Sequence, residues 1–491
     1  VRRQGKQGGM IDIRPVAHIV GKLVVTLGAA MLLPMVVDWW SGNPHWQTFL
    51  ESSILTMLAG ALVTLSTRQV DKSLTIKQAF LLTASLWLVL PLAGALPFML
   101  GAPNASFTDA YFEAMSGFTT TGTTAFPELD TLPRGTNLWR GFLYWAGGQG
   151  IIVVAMIFLP VMKVGGMQFF KSEGFDTMGK ILPRAFDIAG EMTGVYCAMT
   201  AACMIIYILF GMTGFDALVL ALSTCSTGGF SNYNSSFGPY IGPLEYVASV
   251  FMILASLPFI RLVQLIRGSA DPLWRDVQVR AYLRWTFYAI AVIVAYRLLW
   301  LGASDPESVI RETIFNVIST FSGTGYASTD VMQWGHLPFA ILIVVGLIGG
   351  CTGSTSCSVK TFRYLVLVQA IKSQLRRMRS PHRVYPLKYD NRPLEQDVVD
   401  SVMAFFTLFM LTFGVLVVGL ALTGLHPRTA LTGAWTAIAN VGVMWGPELS
   451  PNGAVNNFPA SARWMMTMGM YIGRLELLSV FVLFLPSFWR T

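Results

Sequence analysis

Four short clusters of glycine, threonine, serine and asparagine are where this chain could do chemistry. They read Thr119-Thr120-Thr121-Gly122-Thr123, Ser226-Thr227-Gly228-Gly229-Phe230, Ser322-Gly323-Thr324-Gly325-Tyr326 and Asn440-Val441-Gly442-Val443. What they share is not a nucleophile or a base but backbone carbonyl oxygen. Glycine moves freely into positive φ, so successive carbonyls can be turned to one side. A ring of such carbonyls can replace the hydration shell of a monovalent cation. Threonine hydroxyls can add oxygen ligands at the inner end. Any one cluster alone is ordinary turn chemistry; four in matching surroundings are not. The candidate filter residues are Thr120, Thr121 and Gly122; Thr227, Gly228 and Gly229; Gly323, Thr324 and Gly325; and Asn440, Val441 and Gly442. In the second cluster Gly229, just before Phe230, matches Gly325, just before Tyr326.

The surroundings repeat as well. Glycines 122, 229, 325 and 442 lie 107, 96 and 117 residues apart, and the runs DAYFEAMSGF, DALVLALSTC, ETIFNVISTF and TGAWTAIAN precede them. Each run is about a dozen residues, too short to cross a bilayer, which takes roughly 20 apolar residues. Each follows one long apolar stretch and precedes another. Ten full spans are expected, near 16–38, 46–67, 77–100, 138–163, 190–212, 244–267, 283–303, 336–370, 398–424 and 462–488. The unit span–half-helix–loop–span thus occurs four times, and such repeats outrank any local motif as a guide to fold. The expected architecture is an all-α polytopic membrane protein with four tandem helix–pore-loop–helix repeats around a central pore. Two extra transmembrane helices in 10–70 come first. The repeats follow at 71–180, 181–272, 273–392 and 393–491. Residues 1–9 (VRRQGKQGG) read as an expression scar, with Met10 the expected natural start. Irregular backbone at membrane depth survives only where it lines a cavity or is buried in protein, so four such loops imply a shared axis. The carboxyl ends of their half-helices carry partial negative charge, which favours a cation.

Composition agrees. The chain has 491 residues, 54% hydrophobic and 12% charged, where a soluble domain carries roughly 25% charged residues. One family of loops is basic. Arg68, Lys72 and Lys77 lie in 66–78; Lys163, Lys171, Lys180 and Arg184 in 161–185; Arg261, Arg267, Arg275, Arg280 and Arg284 in 261–284; and 360–392 includes Lys372, Arg376, Arg377 and Arg379. The alternate loops hold mostly acids, among them Glu113, Asp216, Glu245, Glu312 and Glu448. This is positive-inside asymmetry, which places the amino terminus in the cytoplasm. The net charge of +8 is therefore a topology signal and a docking surface for an acidic partner, not a nucleic-acid footprint. The five cysteines form no C-x-x-C pair and read as small buried residues. No H-E-x-x-H, G-x-S-x-G or paired-acid motif suggests an enzyme. Gly147-Gly148-Gln149-Gly150 lacks the strand–turn–helix context of a dinucleotide site.

Two further features bear on the pore. Gly349, Gly350, Cys351, Thr352, Gly353, Ser354, Thr355 and Ser356 interrupt the 336–370 span with small polar residues and form a candidate gate. Lys360 and Arg363, just inside it, are expected to snorkel to the interface. Arg474 sits mid-span, where a charge usually faces the bundle interior or a wet cavity. It is expected to line the pore below the filter as an electrostatic barrier and partner of the 349–358 loop, a structural ion pair with Glu476 or a distant acid being the other reading. Trp39, Trp40, Trp139, Trp300 and Trp464 fall at span ends, where aromatic belts form.

At this level of detail the chain resembles the Trk/Ktr/HKT superfamily of cation transporters, nearest its bacterial TrkH/TrkG/TrkI-type branch. GGQGIIVVAMIFLPVMKVGGMQFFKSE (147–173), GGCTGSTSCSVKTFR (349–363) and GRLELLSVFVLFLPSFWR (473–490) carry the likeness, which covers essentially everything after Met10. The resemblance implies a four-repeat channel-like fold, a homodimer in the bacterial inner membrane, and potassium held by filter carbonyls. It also implies gating by a cytoplasmic TrkA-like ring of nucleotide-binding subunits, docked on basic inner loops such as 372–392. No cofactor is implied in the chain itself. In the plant branch a serine at the first filter position favours sodium; Gly122 here favours potassium. Two departures stand out. The family's fourth loop commonly reads N-x-G-P-G, where this chain has Val443-Met444-Trp445 after Gly442. The gate loop commonly ends in glycines, where this chain has Ser356-Cys357-Ser358, expected to stiffen it. The same ring carrying sodium or ammonium is the alternative, and coupling to protons or sodium stays open.

Overall fold

The computed structural model describes residues 12–68, 74–154, 181–380, 386–390, 392–475 and 477–489. The expected expression scar at 1–9, the later part of the 147–173 stretch and Glu476 lie outside the described residues.

The first helices are α1 (Arg14–Ala30), α2 (Leu32–Trp40) and α3 (Trp46–Ser66). Glycines let α1 and α3 approach closely: a methyl built on Gly21 would lie 3.0 Å from the Gly60 carbonyl oxygen, the small-residue contact that membrane helices use. Then come α4 (Ile76–Gly94), α5 (Leu96–Leu100), α6 (Phe107–Phe118) and α7 (Arg134–Val153). The next unit has α8 (Ile181–Leu209), α9 (Gly214–Cys225), α10 (Pro243–Ser256), α11 (Phe259–Ile266) and α12 (Asp271–Arg275). The third has α13 (Val277–Ala295), α14 (Pro306–Ser322), α15 (His336–Gly346) and α16 (Thr361–Arg379). The last has α17 (Gln396–Leu422), α18 (Pro427–Ala439), α19 (Ala460–Arg474), α20 (Leu478–Phe481) and α21 (Pro486–Trp489). Between α15 and α16, strand β1 (Ile348–Gly349) pairs in parallel with β2 (Val359–Lys360). A small antiparallel pair, β3 (Lys388–Tyr389) and β4 (Arg392–Pro393), precedes α17.

Among the described residues, six helical segments are long and apolar enough to cross a membrane, seven if the bent pair α10–α11 counts as one span. This is a multi-pass membrane protein, with fewer uninterrupted spans among the described residues than the ten expected. Span 244–267 bends by 105° between α10 and α11, because Leu257 is extended and Pro258 cannot continue the ladder. Span 336–370 is split by the β1–β2 loop. Span 462–488 stops at Arg474, after which short helical pieces follow. Span 138–163 begins as α7, which carries Arg134 and Arg140.

Two large apolar cores form. One joins α2–α7 to α18 and α19 through Phe49, Phe118, Leu143, Ala437 and Met470. The other joins α8–α11 to α13 and α14 through Tyr196, Ala221, Met252, Tyr282 and Phe321. Trp139 belongs to the first core, fully buried with its indole N–H on the Gly94 carbonyl at 2.9 Å, so it is not an interfacial residue. Trp39, Trp40 and Trp300 are exposed as expected. Four cysteines are buried, but Cys197 is exposed.

Candidate functional site

Each sequence cluster follows a short helix with a side-chain cap. Ser106 caps α6 through the Asp109 N–H, Thr213 caps α9 through Asp216, Asp305 caps α14 through Glu307, and His426 caps α18 through Arg428, each at 3.2 Å. The caps satisfy amino-terminal N–H groups and leave the carboxyl ends to run into the clusters. There the backbone repeats one pattern four times. Thr120, Thr227, Gly323 and Asn440 have φ of 49°, 53°, 82° and 53°; two residues on, Gly122, Gly229, Gly325 and Gly442 have 104°, 89°, 78° and 70°. The alternation turns successive carbonyls the same way, and it pairs Gly229, not Gly228, with the other three glycines. Gly228 instead packs under the Tyr144 ring, where a methyl would collide.

The four clusters meet in order. A methyl on Gly122 would lie 2.8 Å from the Gly228 carbonyl oxygen and 2.8 Å from the Gly442 Cα. One on Gly229 would overlap the Thr324 carbonyl, and one on Gly325 the Val441 carbonyl. One on Gly442 would lie 2.5 Å from the Thr121 carbonyl oxygen. First touches second, second third, third fourth and fourth first, so the loops close a ring. An open cavity of about 460 Å³ borders all four glycines on one side, walled also by Thr123, Phe230, Tyr326 and Val443. The threonine hydroxyls do not stand free. Thr121 bonds to Thr119 at 2.7 Å and accepts from Asn440 Nδ2 at 2.8 Å; Thr227 donates to the Ser226 carbonyl; Thr324 pairs with Ser322 at 2.7 Å.

Behind the ring lies a group that the sequence reading passed over. Glu113, on α6, is fully buried and meets Arg140, on α7, whose Nε donates at 2.8 Å. Glu113 also accepts from the Ala125 N–H at 2.8 Å and the Thr124 hydroxyl at 3.0 Å. Two other ion pairs tie neighbouring units: Arg311 with Glu245, and Arg463 with Asp109. A charge inside an apolar run was the available signal. The fourth loop's departure also has a local explanation. Trp445 stacks on Trp435 at 5.7 Å and meets the Phe339 ring edge at 5.3 Å, so an aromatic stack fixes the segment after Gly442.

On the other side of the ring the 349–358 loop is packed tight. The carbonyls freed by the bend after α10 receive it: Cys351 N–H donates to Ser256 O at 2.9 Å, and the Thr355 hydroxyl lies 3.0 Å from Ala255 O; the same hydroxyl is 3.2 Å from Cys225 O at the end of α9. Thr352 N–H reaches Gln278 Oε1 at 2.9 Å; Gly350 N–H reaches Ser356 Oγ at 2.9 Å; the Ser354 hydroxyl reaches Cys351 O; and Gly353 O accepts from Phe259 N–H at 3.0 Å. A methyl on Gly349 would overlap the Cys357 carbonyl. Cys357 Sγ lies 3.2 Å from the Thr120 hydroxyl and 2.7 Å from an Arg474 terminal nitrogen, so the loop touches the first cluster directly. Arg474 is 4% exposed, and its Nε and second terminal nitrogen have no hydrogen-bond partner among the described residues. Lys360 and Arg363 do not snorkel. Lys360 is buried with Nζ donating to the Ser354 and Ser356 carbonyls, and buried Arg363 lies 3.9 Å above the Phe405 ring. The loop's own carbonyls and a nearby aromatic face draw these charges inward. Ser358, where a glycine would be at ease, sits at φ 61°.

The family described as TrkH, cation transport protein, matches residues 45–491. The Trk system potassium uptake protein TrkI of Halomonas elongata is 37% identical over 479 residues, 97% of each chain. TrkH of Escherichia coli is 31% identical over 490 residues, 98% of this chain and 100% of its own. The crystal structure of the potassium transporter TrkH from Vibrio parahaemolyticus superposes with a TM-score of 0.91 at 30% identity, covering 98% of this chain and 100% of that one.

Proposed function

Because the chain belongs to the TrkH family of cation transport proteins, we propose that it takes up potassium through a gated pore whose filter is the four-loop ring. The observation that carries this is the repeated backbone pattern: positive φ at the first and third residue of each triplet, with the four glycines bordering one cavity. In this reading the chain is two leading helices plus four helix–pore-loop–helix repeats. Carbonyls of the twelve triplet residues replace potassium's hydration shell. No covalent step is needed, since 100 mV is worth about 2.3 kcal/mol per charge, roughly fifty-fold accumulation.

The 349–358 loop is the gate. Its contacts with Thr120 and Arg474 support this, because backbone so placed must leave before ions can pass below the ring. Arg474 adds an electrostatic barrier. The protein acts as a homodimer in the bacterial inner membrane with its amino terminus in the cytoplasm. A TrkA-like nucleotide-binding ring sets opening from the cytoplasmic side, and exposed Lys372, Arg376, Arg377 and Arg379 at the end of α16 suit its docking.

The test is potassium-limited growth of a strain lacking potassium uptake, comparing the chain with Gly325→Ser at matched abundance. Rescue by the parent and loss in the variant supports the filter. Equal rescue by both removes the third loop from it. Competition by sodium and ammonium then separates potassium from the other monovalent cations.

A further inference from the structure

The residue three places after each ring glycine is held by a polar side chain of the preceding short helix. In the first unit Glu113 takes the Ala125 N–H at 2.8 Å. In the second Asp216 takes Asn232 Nδ2 at 2.6 Å. In the third Asn316 donates to Ser328 Oγ at 3.0 Å and accepts its N–H at 3.4 Å. In the fourth Thr432 donates to Trp445 O at 2.7 Å and accepts its N–H at 3.3 Å. These are four clasps on the outward return of four loops.

Among the described residues, only the first clasp contains an ion pair. Arg140 joins Glu113 and extends into the second unit: one terminal nitrogen donates to Ser231 O at 3.1 Å, and the guanidinium lies 4.0 Å from the Phe230 ring. Ser231 and Phe230 directly follow Gly229, as Thr124 and Ala125 closely follow Gly122. One pair therefore fixes the exits of two adjacent loops, and Arg140 borders the cavity itself. Charge-assisted bonds are about twice as strong as neutral ones; Asp216 supplies one in the second clasp, but the first has charge on both partners and ties two loops at once.

We propose that the Glu113–Arg140 pair is a selectivity-determining positioning element: it holds the first and second loops at the spacing that favours potassium over the smaller sodium ion. This rests on the pore reading above. Two consequences separate positioning from simple charge. Glu113→Gln leaves Arg140 cationic at the cavity wall and lowers apparent cation affinity; Arg140→Gln removes that cation and raises it. Both loosen the loops, so both lower the preference for potassium over sodium. Thr124→Val keeps both charges and removes the hydroxyl that donates to Glu113 and accepts from the Phe126 N–H at 3.0 Å and from Arg140 at 3.4 Å, so it lowers the preference without moving affinity.

The experiment is rubidium uptake by potassium-uptake-deficient cells carrying each full-length variant, with sodium as competitor and membrane abundance measured in parallel. Either ion-pair variant should lose about tenfold in preference, the factor that one hydrogen bond to a charged group carries. Thr124→Val should lose a few-fold. If burying an unpaired charge keeps the ion-pair variants out of the membrane, Thr124→Val decides. An unchanged preference in the variants that reach the membrane, with the parent conducting, overturns the clasp and leaves the pore reading standing. A parent without potassium preference takes down both.

Discussion

Gly229→Ala should nearly silence the pore, whereas Gly211→Ala should not. The two glycines have similar backbones, φ 89° and 97°. Either alanine meets the same local strain, about 1–3 kcal/mol. Their surroundings differ completely. A methyl on Gly211 meets nothing within 4 Å; one on Gly229 overlaps the Thr324 carbonyl oxygen and comes to 3.4 Å from the Gly325 carbonyl carbon. To reach an ordinary C···O contact of roughly 3.3–3.6 Å, the Thr324 oxygen must retreat by more than ~1 Å. That oxygen is one of the proposed ion ligands. If its contact with the ion resembles a hydrogen bond to a charged group, its loss costs about 1.5–3 kcal/mol, or about 10- to 150-fold in rate. The assay is rubidium uptake per molecule of membrane-inserted protein, parent against both variants. Gly211→Ala should stay close to the parent. If Gly229→Ala conducts within twofold of Gly211→Ala, the contact between the second and third loops does not form part of the conduction path, and the ring reading fails.

The remaining predictions concern Arg474 and Glu448. Arg474→Met removes a buried guanidinium whose one terminal nitrogen holds Cys357 Sγ and the Thr355 carbonyl. Flux should rise about tenfold, the effect of ~1.4 kcal/mol off the barrier; unchanged flux at normal abundance would sink its role as a barrier. In the segment after Gly442, burial pushes the Glu448 carboxyl up, but bonds from the Thr429 hydroxyl and the His426 N–H outweigh this and hold it below the usual carboxylate range. A lowered folded value means stability that is present above the unfolded value, about 4.3, and lost as pH falls below it. Thermal melts of the purified protein from pH 7 to pH 3 should show that loss, and Glu448→Gln should flatten it; identical profiles would refute it.

How far the sequence could be read depended on whether the signal was local. The four triplets were legible because glycine at positive φ and a dozen-residue apolar run are local features, and the ambiguity at Gly228-Gly229 was resolvable from Phe230 and Tyr326. Arg474 was legible because one charge in an apolar helix is conspicuous. Glu113 and Arg140 were just as conspicuous but were passed over. Glu113 was counted among outer-loop acids, and its partner lies 27 residues away on another helix. The same averaging misplaced Lys360 and Arg363. Snorkelling assumes water is the best available partner, whereas loop carbonyls and the Phe405 face were nearer.

The breaks in the second helices show what hydropathy averaging cannot see. Leu257-Pro258, Gly349-Gly350 and Arg474-Leu475 all interrupt stretches that a sliding window reads as continuous spans. Broken backbone in an apolar medium needs new partners for every freed polar group. Here one break supplies another: carbonyls of Ala255 and Ser256, left open where α10 ends, take the N–H groups of Thr355 and Cys351, and the Thr355 carbonyl meets Arg474 at the third break. The exchange is mutual, so none of the three interruptions is satisfied alone. Displacing the 349–358 loop therefore unties the α10 bend and Arg474 together. The opening of the gate proposed here would then be a concerted change beneath the ring rather than the swing of one isolated loop.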